Sequence, residues 1–405
     1  MRYIKLNISL FIGLVGLVFY FLTVPAIDAE KFMSIDVESG DEKVFDDLYL
    51  GGSLDYNSNI HSSFIYQDNQ INIHEELPIL KKLDEPSFPK EKVLLDQYPE
   101  FISDINSDIN IIDSQFLDSK DYVVSSFFKT AEKDYNIDLK QLNLQILNKD
   151  TDEIESDEIS RTENVKGDFS NIFSIQEEFP IVRVLFSITD WGSHNSEEVS
   201  TLLLGEYNFE TKNYSEEVIK KADGDFQLDD NQDFVSDNRT QTLLTFYPSG
   251  NATEAEGHID EVTDTDSDEQ TLLANLVDSE VTQLDGNKKY LTTENNELFS
   301  LEFENNSEAL NKYDAQGEEI VDKIPLDITG DVDPLDSEQL LISNIIDDKL
   351  FIFQSNMPMN NRGLDPTEFQ VFDIQTGEEI SAGEIKFDSK ELSASEVFIS
   401  EIGKN

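Results

Sequence analysis

The stretch VFDIQTGEEI, Val371 to Ile380, decides how the rest of the chain is read. An Asp side chain at 373 can bond its own backbone just ahead of it, and Gly377 can take the positive φ that a tight hairpin demands. On either side, FQVF and EISAGEIKF read as strands. KYDAQGEEIVD repeats the pattern one residue shorter, with Asp314 and Gly317. Two more degenerate copies follow the same plan: ILNKDTDEI, with Asn148 and Thr151, and EYNFETKNY, with Asn208 and Thr211. Thr151 to Thr211 is 60 positions, as is Gly317 to Gly377. The 106 positions between 211 and 317 leave room for two further units without a securely placed turn.

Each turn has a similar approach. DYVVSSFF and LKQLNLQIL precede Asn148; PIVRVLFSIT and STLLLGEYNF precede Asn208; KLFIFQS, a polar loop and FQVFDI precede Asp373. The unit is strand, long polar loop, strand, tight turn, strand, and its aromatic and β-branched residues suit short half-buried strands. Self-similarity at this period predicts an all-β fold, a β-propeller of about seven blades, with six or eight as alternatives. A small sheet cannot bury both faces alone, whereas radially packed sheets bury each face against a neighbour. The terminal SASEVFISEIGKN is expected to pair with the first unit and close the ring. A tandem of β-sandwiches is the alternative arrangement.

The repeated turns, VFDIQTGEEI and KYDAQGEEIVD above all, resemble hairpins between outer strands of degenerate propeller repeats of the quinoprotein-like and seven-bladed bacterial surface class. With its apolar N-terminus, the chain is similar to membrane-anchored extracytoplasmic β-propeller-like proteins of low-GC Gram-positive bacteria. It departs from true quinoprotein blades in having a single Trp, Trp191, so no such cofactor is expected.

MRYIK places Arg2 and Lys5 before LNISLFIGLVGLVFYFLTV, nineteen residues without a charge. At 1.5 Å per residue this run is just long enough to cross a hydrocarbon core of about 30 Å. The basic N-terminal flank then puts the bulk of the chain outside the cell membrane. The expected division is a cytoplasmic stub over 1–5, an anchor over 6–24, a linker over 25–40 and the propeller over 41–405. A cleaved signal peptide, with Val24 and Ala26 at the cleavage site, is the alternative and would make the protein secreted.

Against 29 Lys and Arg stand 85 Asp and Glu, a formal net charge of -56. Such a field repels phosphate backbones, so nucleic acid is not an expected partner. Absence of cysteine excludes disulfides, thiolate metal sites and Cys nucleophiles. The four histidines have no paired spacing, and neither a G-x-S-x-G elbow nor a Gly-rich phosphate loop occurs. No catalytic residue is nominated. Asp264, Asp266 and Asp268 have the spacing of the first calcium-loop ligands, but Glu269 and Asn275 stand where that loop needs Gly and a bidentate Glu. A solvated acidic loop is the expectation there, and DGDFQLDDNQDF, with Asp223, Asp225, Asp229 and Asp230, reads the same way.

Binding groups in repeat-built folds gather on the loops of one face. One such loop carries Asp190, Trp191 and His194, and an equivalent one carries Met357, Met359 and Arg362, the candidate partner-binding residues. The functional expectation is a membrane-anchored extracytoplasmic scaffold or sensing protein, docking a membrane complex or a surface ligand through these loops. An extracytoplasmic enzyme acting on cell-wall glycans is the alternative.

Overall fold

The computed structural model of the chain describes residues 33–46, 48–56, 60–67, 70–73, 97–98, 101, 111–129, 139, 141–161, 165, 167, 169–190, 199–228, 235–236, 238–248, 269–285, 288–293, 295–304, 307–314, 317–320, 323–329, 339–356, 366–387 and 396–404. In chain order the strands are β1 (Met33–Gly40), β2 (Leu48–Tyr56), β3 (Ile60–Gln67), β4 (Gln70–Ile73), β5 (Ile111–Asp118), β6 (Tyr122–Lys129), β7 (Gln141–Asn148), β8 (Glu153–Ser160), β9 (Phe169–Glu178), β10 (Ile181–Asp190), β11 (Val199–Asn208) and β12 (Asn213–Leu228). They continue with β13 (Val235–Ser236), β14 (Gln241–Pro248), β15 (Gln270–Asn275), β16 (Glu280–Gln283), β17 (Lys289–Thr292), β18 (Leu298–Glu304), β19 (Ser307–Tyr313), β20 (Ile324–Leu326), β21 (Gln339–Ile346), β22 (Lys349–Asn356), β23 (Thr367–Asp373), β24 (Glu379–Phe387) and β25 (Glu396–Lys404). A 3-10 helix, η1 (Glu42–Phe45), links β1 to β2. The protein is all-β, as the turns predict.

Among the described residues five sheets form, ordered β25-β2-β3-β4 (sheet A), β13-β5-β6-β7-β8 (sheet B), β16-β15-β14-β12-β11-β10-β9 (sheet C), β17-β18-β19-β20 (sheet D) and β1-β24-β23-β22-β21 (sheet E). The chain divides into two compact units: Met1–Val93 with Leu326–Asn405, and Leu94–Pro325. Sheets A and E belong to the first unit.

In that first unit the chain ends cross over. β25 pairs antiparallel with β2, from Leu48 opposite Lys404 to Asp55 opposite Glu396, as the sequence leads one to expect of the terminal segment. Reciprocally, β1 pairs with β24, from Met33 opposite Phe387 to Gly40 opposite Ser381. Residues 33–40 are therefore a strand and not part of a linker: Met33, Ile35 and Val37 alternate with polar residues, and that period of two turns one side toward the core. The core of this unit joins Met33, Leu50, Phe64, Phe353, Phe369, Val371, Ile385 and Ile402.

The second unit shows why its strands are apolar on both sides. Val182, Val184, Phe186 and Ile188 of β10 face a cluster that includes Leu117, Val124, Phe128 and Leu144 of sheet B. Leu185 of the same strand faces Phe226, Leu244 and Leu272 farther along sheet C. Leu243 and Leu273 then meet Tyr290, Leu298 and Tyr313 of sheet D. Sheet C is thus covered on both faces, which stabilises strands too few in any one layer to hold a core alone.

Sheet C is two four-strand groups spliced by one strand. Its 16-residue β12 pairs with β11 along its first part and with β14 from Gly224 to Leu228. At Gly224 φ is 147°, and a Cβ there would meet the Tyr247 carbonyl at 2.1 Å. The acidic loop expected at DGDFQL is accordingly strand: Phe226 is fully buried, because its neighbours Asp225 and Gln227 alternate with it across the pleat.

Candidate functional site

The tight turns obey one local rule. Asn148 Oδ1 accepts from the amides of Asp150 (2.9 Å) and Thr151 (3.1 Å), and Asp152 follows at φ 55°. Asn208 Oδ1 accepts from Glu210 (3.0 Å) and Thr211 (2.9 Å), with Lys212 at φ 54°. Asp373 accepts from Gln375 (3.0 Å) and Thr376 (2.8 Å), with Gly377 at φ 73°. Asp314, in the shorter copy, accepts from Glu318 at 2.9 Å and has Gly317 at φ 78°. A fifth member joins β15 to β16, where Asn275 accepts from Val277 (3.0 Å) and Asp278 (3.2 Å) and Ser279 lies at φ 56°. It falls between positions 211 and 317, and neither Thr nor Gly marks it in the sequence.

In the four full-length copies the amide after the Asx residue binds a carbonyl of the neighbouring turn: Lys149 to Asp121, Phe209 to Pro180, Leu276 to Thr240 and Ile374 to Asp348, at 3.0, 2.9, 2.8 and 3.2 Å. These turns share one end of their sheets.

Connections at the opposite end are longer. Four residues join β7 to β8, β11 to β12 and β15 to β16, whereas eleven join β6 to β7, eight join β10 to β11, twenty-one join β14 to β15 and ten join β22 to β23. Sheets A and D are exceptions, with three residues between β2 and β3 and two between β18 and β19. The connection over 249–269 holds eight acids in twenty-one residues and neither Lys nor Arg.

The long-connection end of sheet C is the candidate site. Asp190 closes β10 opposite Val199, which in turn pairs with Gly224 between Asp223 and Asp225. Asp190 and the 223–225 segment are thus two strands apart, about 10 Å of backbone spacing. Beneath them, Thr189 Oγ1 and the Ser200 hydroxyl lie 2.7 Å apart, both side chains fully buried, and Thr189 Oγ1 is 3.5 Å from Asp225 Oδ1. Carboxylates at a strand end over a fixed hydroxyl pair can hold cationic groups by charge and hydrogen bonding. Trp191, His194, Met357, Met359 and Arg362 lie outside the described residues, as do Asp264, Asp266 and Asp268. Among the described residues, no group of three or more His, Asp or Glu is arranged to hold a metal.

Two polar clusters have no local sequence signal. In sheet D, Glu302 accepts from Lys288 and Lys323, each at 2.6 Å, and Lys288 also donates to Tyr313 Oη at 2.8 Å. Burial alone would push the Glu302 carboxyl up, yet the two ammonium groups outweigh it and hold the group down at about 2. At Lys288 burial works downward and its partners more than reverse it, so the ammonium is raised. The second cluster joins sheets B and C. Arg161 donates to both Glu216 oxygens and, at 2.8 Å, to the Leu139 carbonyl, while Tyr214 Oη donates to Glu216 at 2.7 Å. The Arg161 and Glu216 side chains are 2% and 0% exposed, so this pair is closed to ligands and acts as a staple. Burial, reinforced by the Glu216 charge, pushes the Tyr214 hydroxyl far up.

Among the described residues no helix is long and apolar enough to cross a membrane, and the expected anchor over 6–24 lies outside them. No protein-family model and no curated protein matches the chain. Among solved structures it is similar to a Synechocystis apocarotenoid oxygenase carrying a glutamate-to-aspartate substitution, at 11% identity and a TM-score of 0.29, over 73% of this chain and 53% of that one. It spans about half the length of that relative. A tryptophan-to-alanine form of the Synechocystis enzyme aligns over 92% of this chain and 96% of its own, at 8% identity and a TM-score of 0.42. The β-propeller domain of the Trilobed protease from Pyrococcus furiosus, described as having an open velcro topology, aligns over 68% of this chain and 82% of that one, at 11% identity and a TM-score of 0.29.

Proposed function

We propose that the protein is a membrane-anchored extracytoplasmic scaffold or sensing protein, built as a β-propeller, that docks a membrane complex or surface ligand through the long-connection end of its sheets. The observation that carries this reading is the asymmetry of the sheets: one end closed by four-residue Asx turns, the other given to connections of eight to twenty-one residues in sheets B and C. Length without a need for tight geometry is what contact surfaces use and what a structural turn does not need. Six groups of four or five strands among the described residues support a six-bladed ring, counting sheet C as two and the other four sheets as one each. The reciprocal pairing of β25 with β2 and β1 with β24 supports closure by both chain ends. Export and anchoring are supported by the uncharged run over 6–24 and its basic flank.

Affinity capture of the full chain from gently solubilised membranes tests the proposal. The expected result is stoichiometric recovery of an envelope protein, lost when 191–198 and 357–365 are replaced by Gly-Ser segments of equal length. Recovery of the bare monomer under every condition overturns it, and turnover of wall polymers by the same preparation would favour an extracytoplasmic enzyme.

A further inference from the structure

The way β1 is fastened differs from the way its neighbour η1 is fastened. Val44 of η1 is buried, and Phe45 lies edge-on to Phe369 at 4.9 Å and tilted against Phe351 and Phe353 at 6.2 and 6.4 Å. β1 buries Met33 alone, with Ile35 and Val37 half-buried and Ser34, Asp36, Glu38, Ser39 and Gly40 exposed. Its side-chain bonds are mostly exposed: Lys386 to Asp36 at 2.9 Å and Ser39 to Glu379 at 2.9 Å, with the Ser381 hydroxyl donating to the Ser39 carbonyl at 3.2 Å from a part-buried position. β1 ends on Gly40, at φ 89°, a conformation open to glycine, with Asp41 alone between it and η1. A pinned helix, a glycine and a lightly held edge strand make a hinged strap.

Under the strap lies a seat shaped for backbone. At Gly383 a Cβ would stand 2.1 Å from the Asp36 carbonyl and 2.9 Å from Val37 Cα, so β1 approaches β24 where β24 has no side chain. Beside that notch Lys386 offers a positive charge to an acid at the Asp36 position. An exposed strand edge with free backbone groups is a template for another strand.

We propose that β1 is a displaceable strap hinged at Gly40, and that the β24 edge it covers is a strand-docking site whose occupant, when the strap lifts, is the β1 segment of a second copy of this chain. Register and charge carry the choice: the Asp36–Lys386 pair and the Gly383 notch fit this segment, and an intermolecular β1 meets the same partners. Exchange of an identical element between copies needs no new surface.

The full chain contains no cysteine, so Asp36→Cys with Glu384→Cys, register partners in the ladder, makes a single disulfide lock. In the wild type, hydrogen exchange is expected to run about tenfold or more faster in β1 than in β22, and oxidation of the double variant is expected to abolish the difference. A labelled peptide of sequence MSIDVESG is expected to bind the reduced double variant and not the oxidised one. Because the resident strap competes at high effective concentration, a chain carrying Asp36→Lys, whose strap meets Lys386 with like charge, is expected to bind that peptide about tenfold more tightly than the wild type. Exchange in β1 that keeps step with β22, peptide uptake unaffected by the lock, or no uptake by the Asp36→Lys chain would each overturn the proposal.

Discussion

At the residue scale the Asx turns set the local energetics. Each places one residue in the left-handed region, where a side chain costs about 1 kcal/mol that glycine avoids. Gly377 meets this demand, while Asp152, Lys212 and Ser279 bear the cost. Lys212 recovers some of it through Glu155 and Asp157, at 3.1 and 2.8 Å, so it is a poor place to test the rule. Ser279→Gly is the clean test and is expected to raise stability by about 0.5 kcal/mol in urea unfolding, with Gly377→Ala lowering it by about 1 kcal/mol. The acceptor side has a pH signature. The Asp373 carboxyl is held below its ordinary 3.8, chiefly by the Thr376 amide and then by the Thr376 hydroxyl and Gln375 amide, which outweigh its desolvation. A folded-state value below the unfolded one means the bonus is complete above about pH 5 and drains away as pH falls through 3.8 and beyond. Asp373→Asn keeps the acceptor that Asn148, Asn208 and Asn275 use naturally, so it is expected to flatten acid-limb unfolding curves and leave neutral stability nearly unchanged.

At the element scale, the reach of each interaction along the chain decides what could be read in advance. The hairpins were legible because an Asx residue, the amides two and three places on and a left-handed residue one further form a contiguous signal. The pairing of β1 with β24 was not, because its partners lie some 340 positions apart and an exposed edge strand carries few apolar residues. In β12 the density of acids around Phe226 hid a period of two that the pleat makes plain. Of the candidate site, only Asp190 could be located, at the end of β10, while the Glu302 cluster draws on Lys288 and Lys323 from flanking segments and leaves no spacing to recognise. That cluster makes its own prediction. With its folded value near 2 against an ordinary 4.5, Glu302 stabilises sheet D fully above about pH 5 and loses its contribution as pH falls from 4.5 toward 2. Glu302→Gln leaves two ammonium groups facing each other. Because Lys288 and Lys323 keep 25% and 47% of their exposure and can rehydrate, the expected cost is about 1–3 kcal/mol at neutral pH rather than that of a sealed pair. Calorimetry should place the difference between variant and wild type at its largest near pH 7 and shrinking below pH 4.

At the scale of the whole molecule, charge outweighs every local pair. Several cations already serve two carboxylates: Lys212 bridges Glu155 and Asp157, and Lys386 bridges Asp36 and Glu384. With 85 acids against 29 bases, an excess of 56 negative charges has no cation to meet. Added salt acts on both populations with opposite sign. It weakens exposed pairs, each worth about 0–1 kcal/mol, and it relieves repulsion among the unpaired acids, which at physiological ionic strength still act over about 8 Å. Folding brings those acids closer together than the extended chain does, so relief of repulsion favours the folded state. Because the unpaired acids far outnumber the pairs, the second effect dominates: Tm is expected to climb steadily from 20 mM to 1 M sodium chloride, and to climb further with magnesium at matched ionic strength. A Tm that fell over the same range would mean that the few bridges, and not the many bare carboxylates, govern the stability of this chain.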